Sequence, residues 1–173
     1  MPSVLITGAA KGLGRELTRS FSNHKWSLLL IVRSTESAAD LKSEFPEAKI
    51  LISDIRSLEH EGNLSKWLGD YSVDVLINNA GSGSKGPSIK TATAEQISKV
   101  FETNCVGVFS TVKGAYQSLK KGEKGLVINI SSRRGSLSMQ AAGAAKGSGC
   151  SYSYRISKAA QNMLTLCLAD DLE

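Results

Sequence analysis

The strongest constraint on this chain is a set of five short apolar runs: Val4–Ile6, Leu28–Val32, Ile50–Ile52, Val73–Ile77 and Leu126–Ile130. They are rich in Val, Ile and Leu and do not alternate with polar residues. A strand with one wet face alternates; an unbroken run asks for apolar cover on both faces. Between the runs lie stretches with helical spacing, Leu13 to Asn23, Ala38 to Phe45, Leu58 to Leu68 and Ala94 to Leu119, and a last one from Tyr152 onward. Repeated strand–helix alternation implies right-handed crossovers and a parallel, doubly wound α/β sheet. No repeat or linker divides the chain, and 173 residues suit a single domain, 1–173.

Composition removes several classes of function. The longest apolar run, Leu28–Val32, is far too short to cross a bilayer. The N-terminus enters a strand pattern at once and lacks the features of a secretory signal, so a cytoplasmic protein with no membrane partner is expected. Cys105, Cys150 and Cys167 are odd in number and lack CxxC spacing, which argues against a disulfide framework and against a zinc site. The net charge of +5 is spread among 16 acidic residues. The only adjacent cations are Lys120-Lys121 and Arg133-Arg134, so no basic stripe points to nucleic acid.

The first apolar run leads into TGAAKGLG, Thr7 to Gly14, and then into a helix. Glycines at Gly8, Gly12 and Gly14 let a backbone approach a pyrophosphate, and the helix start offers free N–H groups to it. Ala10, Lys11 and Leu13 complete this candidate cofactor loop. Its spacing, G-x-x-x-G-x-G, differs from the common G-x-G-x-x-G fingerprint. Where an NAD-binding strand ends in a carboxylate for the ribose 2′-hydroxyl, the second run here ends in Arg33. An arginine at that place can pair with a 2′-phosphate, and Lys11 adds charge nearby. NADP(H) is therefore expected over NAD(H). Asp54 follows the third run, before Ile55. It either accepts from an adenine amino group, caps a helix beginning near Ser57, or closes a turn.

The segment 131–151 is rich in Gly, Ala and Ser and has no clear period. So long an irregular stretch in a compact domain is usually functional or mobile, and this one lies beyond the carboxyl end of the fifth run, where ligands bind in open α/β sheets.

Three further strings complete a pattern: NNAG at Asn78–Gly81, followed by SGSKGPS; ISSRRG around Ser132; and YRISK from Tyr154 to Lys158. Together with TGAAKGLG, and in this order, they resemble the short-chain dehydrogenase/reductase family along essentially the whole chain. ISSRRGS and SYSYRISKAAQN are most similar to its sniffer and C-factor type carbonyl reductases. The resemblance implies a Rossmann-like sheet of strand order 3-2-1-4-5. It places Asn79, Ala80 and Gly81 beside the cofactor, and Asn104, Ser132, Tyr154 and Lys158 in catalysis. Tyr152 has Ile156 four residues on and is assigned to packing or a pocket wall.

The resemblance also implies a chemistry. Ser132 polarises a carbonyl, Tyr154 is the general acid/base, and Lys158 favours phenolate and holds the nicotinamide ribose. Asn104 positions a water behind Lys158. An ordinary phenol, with a pKa of about 10, needs such a neighbouring cation to work near neutral pH. The expected partners are a small carbonyl or alcohol substrate and a second copy of the chain, as homodimer or homotetramer. The family fold continues past the Tyr–Lys helix into further strands and a substrate lid that these 173 residues do not include. The expected function is an NADP(H)-dependent oxidoreductase, with a catalytically inactive dinucleotide-binding protein as the alternative.

Overall fold

Each apolar run becomes a strand, and each helical stretch follows where the spacing placed it. The computed structural model describes residues 1–83, 89–144 and 152–172. The first half contains β1 (Ser3–Thr7), α1 (Gly12–Asn23), β2 (Ser27–Val32), α2 (Thr35–Glu44), β3 (Lys49–Ile52), α3 (His60–Leu68) and β4 (Val75–Asn78). The second half contains α4 (Ala94–Phe101), α5 (Gly107–Lys121), β5 (Leu126–Asn129), α6 (Leu137–Ala141) and α7 (Tyr152–Leu172). A π-helical turn, Glu102–Val106, joins α4 to α5, and a 3₁₀ turn, Arg133–Gly135, precedes α6.

The chain divides into two compact units. One comprises Met1–Ala80 and Ser110–Ile130; the other comprises Gly81–Phe109 and Ser131–Glu173.

The first unit holds the whole sheet. Its strand order is β3-β2-β1-β4-β5, and every pairing is parallel. Successive strand residues point to opposite faces, so an unbroken apolar run feeds two cores. Val4, Ile6, Leu28, Leu30, Val32, Val75 and Ile77 cluster with Leu41 and Phe45, and Leu17, Phe21 and Trp26 of the α1 region pack against them. The alternate residues Leu5, Leu29, Ile31 and Leu76 are also buried, as are Leu64 and Leu68 of α3 and Val112 and Ala115 of α5. Full burial of each Val, Leu, Ile or Phe side chain is worth about 1.5–3 kcal/mol. Together these clusters fix the sheet that carries the loop after β1.

The expectation of two-sided burial fails at the margins. Ile52 of β3 and Leu126 and Ile128 of β5 are exposed. These strands are the outermost and pair on one side only.

The second unit is helical. Thr93 caps α4 through a capping box with Gln96. The stretch Ala94 to Leu119, expected as one regular helix, is interrupted by the π turn, whose extra residue shifts the helical face at Asn104. Part of segment 131–151 is ordered rather than irregular: Ser132 caps the 3₁₀ turn and Ser136 caps α6. Residues 84–88 of the second glycine-rich turn, and residues 145–151 with Cys150, lie outside the described residues.

Candidate active site

In the first unit the glycine loop forms a cradle that only small residues allow. Gly8 has a φ of +68°. A Cβ built on Gly14 would lie 2.3 Å from the Gly8 carbonyl oxygen and 2.5 Å from Asn79 Nδ2. Asn79 holds the loop from beneath: its Nδ2 donates to the carbonyls of Thr7, at 3.0 Å, and Gly8, at 3.2 Å. Thr7 answers by accepting at its Oγ1 from the backbone N–H groups of Asn79 and Ala80. The threonine's part was not read from sequence, although it opens the TGAAKGLG string. Ala80 is thereby fixed against Gly8, while Gly81 is exposed and belongs to the second unit.

The start of α1 is left open for an anion. Lys11 occupies the cap position without a side-chain cap, and the first turn contains no acid. Helices α2, α4 and α6 all carry a Ser or Thr cap. Unsatisfied N–H groups and the helix dipole at such an end favour a phosphate. Leu13 is exposed in this turn, and Ala10 half-buried behind it. These residues fit a dinucleotide.

The nearby cations divide by use. Arg15 pairs with Asp40 and Glu44 of α2, and these carboxylates raise its pKa. Lys11 and Arg33 are exposed and make no salt bridge among the described residues.

Asp54 closes a turn. Its carboxylate accepts from the backbone and guanidinium of Arg56, and this pairing, together with the charge of Arg33, holds its pKa at about 2. The helix expected near Ser57 begins instead at His60, with Glu59 in the cap position, so Asp54 does not cap it. Ile55 beside it is buried.

The second unit assembles the candidate proton-transfer residues. Gly135 lies so close to α7 that an added Cβ would sit 2.6 Å from the Lys158 carbonyl carbon and 2.9 Å from the Ala159 nitrogen. Only glycine lets the 3₁₀ turn approach this backbone, and the turn carries Ser132 with it. Ser132 Oγ accepts from the Arg134 N–H at 3.2 Å, a bond that leaves its own proton uncommitted. Asn162 of α7 adds bonds to Ser131 and to the Gly135 carbonyl.

Tyr154 and Lys158 lie one turn apart on α7, with Lys158 Nζ 5.9 Å from the Tyr154 ring centroid. Tyr154 is half-buried, and a Cβ on Gly83 would come within 3.5 Å of its ring. Lys158 is buried; desolvation lowers its pKa to about 8. Its Nζ donates to Gln161 Oε1 at 2.8 Å. Tyr152 is exposed at the start of the helix.

Asn104, fully buried in the π turn, ties these pieces together. Its Oδ1 accepts from Ser82 N–H and its Nδ2 donates to the Ser82 carbonyl, each at 2.8 Å. Nδ2 also donates to Ser157 Oγ at 2.9 Å, and Ser157 donates to the Tyr154 carbonyl. Both amide hydrogens are thus used within the protein. Ser157 and Gln161 were not singled out from sequence. Their signal was polarity on the buried side of α7, where Ser153, Ser157, Lys158 and Gln161 are all buried. Ser82 Oγ and Gln161 Nε2 are buried without a partner among the described residues.

The sequence profile of the short chain dehydrogenase family matches residues 2–173. The chain is 28% identical over 135 residues to the NADPH-dependent pterin aldehyde reductase of Arabidopsis thaliana, covering 75% of this chain and 56% of that protein. Its fold superposes on the carbonyl reductase Sniffer of D. melanogaster with a TM-score of 0.84 and 29% identity, over 99% of this chain and 75% of that one. The NADPH-bound carbonyl reductase from chicken fatty liver gives 0.82 and 27%, over 96% of this chain and 72% of that one. The chain spans about half the length of the curated relatives it matches. A parallel sheet in the order 3-2-1-4-5, a glycine cradle after its first strand and a profile match along nearly the whole chain lead to one assignment: the chain belongs to the short-chain dehydrogenase/reductase family.

Proposed function

We propose that the protein is an NADP(H)-dependent oxidoreductase acting on a carbonyl/alcohol pair, with Tyr154 as the general acid/base. The observation that carries this reading is the packing of the Ser132 turn onto α7 at Lys158, one turn from Tyr154, through a contact that only Gly135 permits. A serine, a tyrosine and a lysine held this way have a joint use in proton transfer to oxygen.

The uncapped start of α1 and the Gly8–Gly14 cradle hold the pyrophosphate. Lys11 and Arg33 receive the 2′-phosphate, and Asp54 and Ile55 border the adenine. Asn79, Ala80 and Gly81 support this side, and Lys158 binds the nicotinamide ribose. When bound, the nicotinamide supplies the hydride to the carbonyl carbon or takes it back from the alcohol. Ser132, its hydroxyl oriented by the Arg134 N–H, donates to the carbonyl oxygen. Tyr154 gives its proton to that oxygen as negative charge develops there, and recovers it in the reverse direction. The Lys158 ammonium offsets the phenolate charge in a site from which water is largely removed. Gln161 fixes Nζ, and its Nε2, which has no partner among the described residues, would hold the water that links Lys158 to solvent. Asn104 sets the positions of the Ser82 stretch and of α7 around this chain.

The NADPH-dependent relatives support the choice of cofactor. A homodimer or homotetramer is part of the proposal. Ile156, Met163 and Leu166 form an exposed apolar stripe along α7, and Val106 of the π turn and Phe109 of α5 are exposed. We place the protein in the cytoplasm, and residues 1–173 in a single dinucleotide-binding and catalytic domain that covers only part of the family fold. Among the described residues no helix is long and apolar enough to cross a membrane.

The test follows NADPH oxidation with a panel of aldehydes and ketones. Tyr154→Phe is expected to lower kcat by about 10³-fold, within the range of general acid–base catalysis, with NADPH affinity retained. Unchanged turnover in this variant, or tight NADPH binding with no turnover of any carbonyl by the wild type, overturns the proposal.

A further inference from the structure

His60 is the first residue of α3 and is fully buried, yet no step of the proposed chemistry uses it. Both of its ring nitrogens are engaged. Nδ1 lies 2.8 Å from the Ser53 hydroxyl, and Nε2 lies 3.1 Å from the Thr111 hydroxyl of α5. The first contact joins the two ends of the segment between β3 and α3. Within that segment Ser57 N–H donates to the Asp54 carbonyl, and His60 N–H donates to the Ser57 carbonyl. The second contact fastens the folded segment to α5. Ser53 also donates its N–H to the carbonyl of Val32, the residue before Arg33. The clamp thus ends one residue short of Asp54 and, through Val32, one residue short of Arg33. These are the residues assigned above, with Ile55, to the adenine and the 2′-phosphate.

A neutral imidazole suits this place. One ring nitrogen donates and the other accepts, and a hydroxyl can take either part, so both contacts are made without charge. An imidazolium donates from both nitrogens, which turns one hydroxyl around, and it buries a charge. The ionisable groups nearby do not reverse this. Asp54, held ionised by Arg56, raises the pKa of His60, but burial lowers it by more. Glu61 of α3 and Lys113 of α5 pair with each other at 3.1 Å. Glu59 is exposed, and Lys49 of β3 lies over the Tyr71 ring. Strands β1 and β4 carry no ionisable residue.

We propose that His60 is a positioning residue for the cofactor: it clamps the segment that carries Asp54 and Ile55, and uptake of a proton by its ring loosens the clamp and weakens NADP(H) binding. The assignment rests on the cofactor reading above and adds to it a sensitivity to acid. Its sign follows from linkage. The clamped ring binds a proton less well than an ordinary histidine, whose pKa is 6.5. Affinity is therefore level at neutral pH and falls only as the ring of the free protein titrates, below 6.5, by at most about tenfold per pH unit.

The experiment measures NADP⁺ affinity by titration calorimetry from pH 8 to pH 4.5 for wild type, His60→Gln and Ser53→Ala. His60→Gln keeps a donor and an acceptor but cannot titrate. It is expected to match wild type within about threefold at pH 8, and wild type to lose at least about threefold more affinity than this variant by pH 4.5. Ser53→Ala breaks one end of the clamp. It should raise the KM for NADPH by about three- to tenfold at pH 8, with kcat changed by less than about twofold. The 2′-phosphate itself titrates near about pH 6, so a fall shared equally by wild type and His60→Gln belongs to the ligand and overturns the proposal. An unchanged KM in Ser53→Ala overturns it as well. The calorimetry needs no turnover, so failure of the hydride-transfer reading leaves these curves to decide the clamp. No binding of NADP⁺ by wild type at pH 8 overturns the cofactor reading and the role of His60 with it. If His60→Gln does not fold, ring ¹⁵N spectra of the wild type decide, since His24 and His60 are its only histidines. Saturation with NADP⁺ should lower the titration midpoint of His60, by reciprocity, and an unmoved midpoint overturns the proposal.

Discussion

The glycine loop of the first unit and the Ser132–Tyr154–Lys158 cluster of the second solve opposite problems. The loop is built from backbone. Its groups are N–H donors at an uncapped helix start, and its essential side chains are those that are missing, at Gly8 and Gly14. The cluster is built from side chains, held by a buried polar chain through Ser82, Asn104 and Ser157. A backbone site tolerates little change in shape but much change in chemistry. A side-chain site depends on both, because each hydroxyl or ammonium must be aimed and also desolvated. Glycine serves each differently: Gly14 makes room for the Gly8 carbonyl and the Asn79 amide inside the loop, whereas Gly135 makes room for a neighbouring helix.

The sharpest way to break this contrast is Gly135→Ala. The added Cβ meets α7 backbone, so the turn must move away and carry Ser132 with it. Turnover is expected to fall by about 10²-fold, the cost of a misplacement near 1 Å, with a much smaller change in NADPH affinity. An unchanged kcat would show that Ser132 need not be held by this contact. Gly14→Ala is the mirror experiment. Its Cβ collides with the Gly8 carbonyl and Asn79, and NADPH binding measured by fluorescence should weaken by roughly tenfold or more, about 1.4 kcal/mol per decade.

Arg33→Gln sharpens the loop's selectivity rather than its shape. The NADPH/NADH ratio of kcat/KM should drop by about tenfold, as expected for losing one charge-assisted bond to the 2′-phosphate. A wild-type preference for NADH would remove the roles of Arg33 and Lys11 altogether.

The remaining test concerns the cost of burying Lys158. Folding moves its pKa from 10.5 to about 8. Between these values the unfolded chain binds the proton and the folded chain does not, so stability rises with pH across that window. Below about pH 8 the burial penalty is present in full. Urea unfolding of wild type and Lys158→Met should differ by an amount that shifts in favour of wild type from pH 8 to 10.5, by of order 2 kcal/mol. A difference that is flat with pH would mean that the ammonium is better solvated than its surroundings imply.

These regions were also unequally legible. TGAAKGLG is contiguous, and its function follows from backbone access, so the string and its place after a strand were enough to locate the loop. What holds the loop, Asn79 beneath it and Thr7 beside it, depends on a crossover between residues more than seventy positions apart. In the second unit, Tyr154 and Lys158 were separated from Tyr152 by helical spacing alone. Ser157 and Gln161 share that helix and were passed over, because their roles come from facing Asn104 and Nζ rather than from spacing. Asp54 left three readings open; the tertiary structure shows the turn by setting Arg56 against it and removes the cap by starting α3 at His60.

By itself, then, the sequence determined the order of strands and helices, the parallel sheet, the glycine loop after the first strand and the identity of the proton-transfer candidates. These depend on period, on runs of one residue class, or on short strings whose meaning is local. Only the tertiary structure decided which polar groups are buried and what each one faces. It made Asn104 the hub of a hydrogen-bonded chain, desolvated Lys158, and set His60 between the hydroxyls of Ser53 and Thr111. Charge, hydroxyl and amide groups gain their chemistry from their neighbours and from the loss of water, and both are set by packing between residues far apart in the chain.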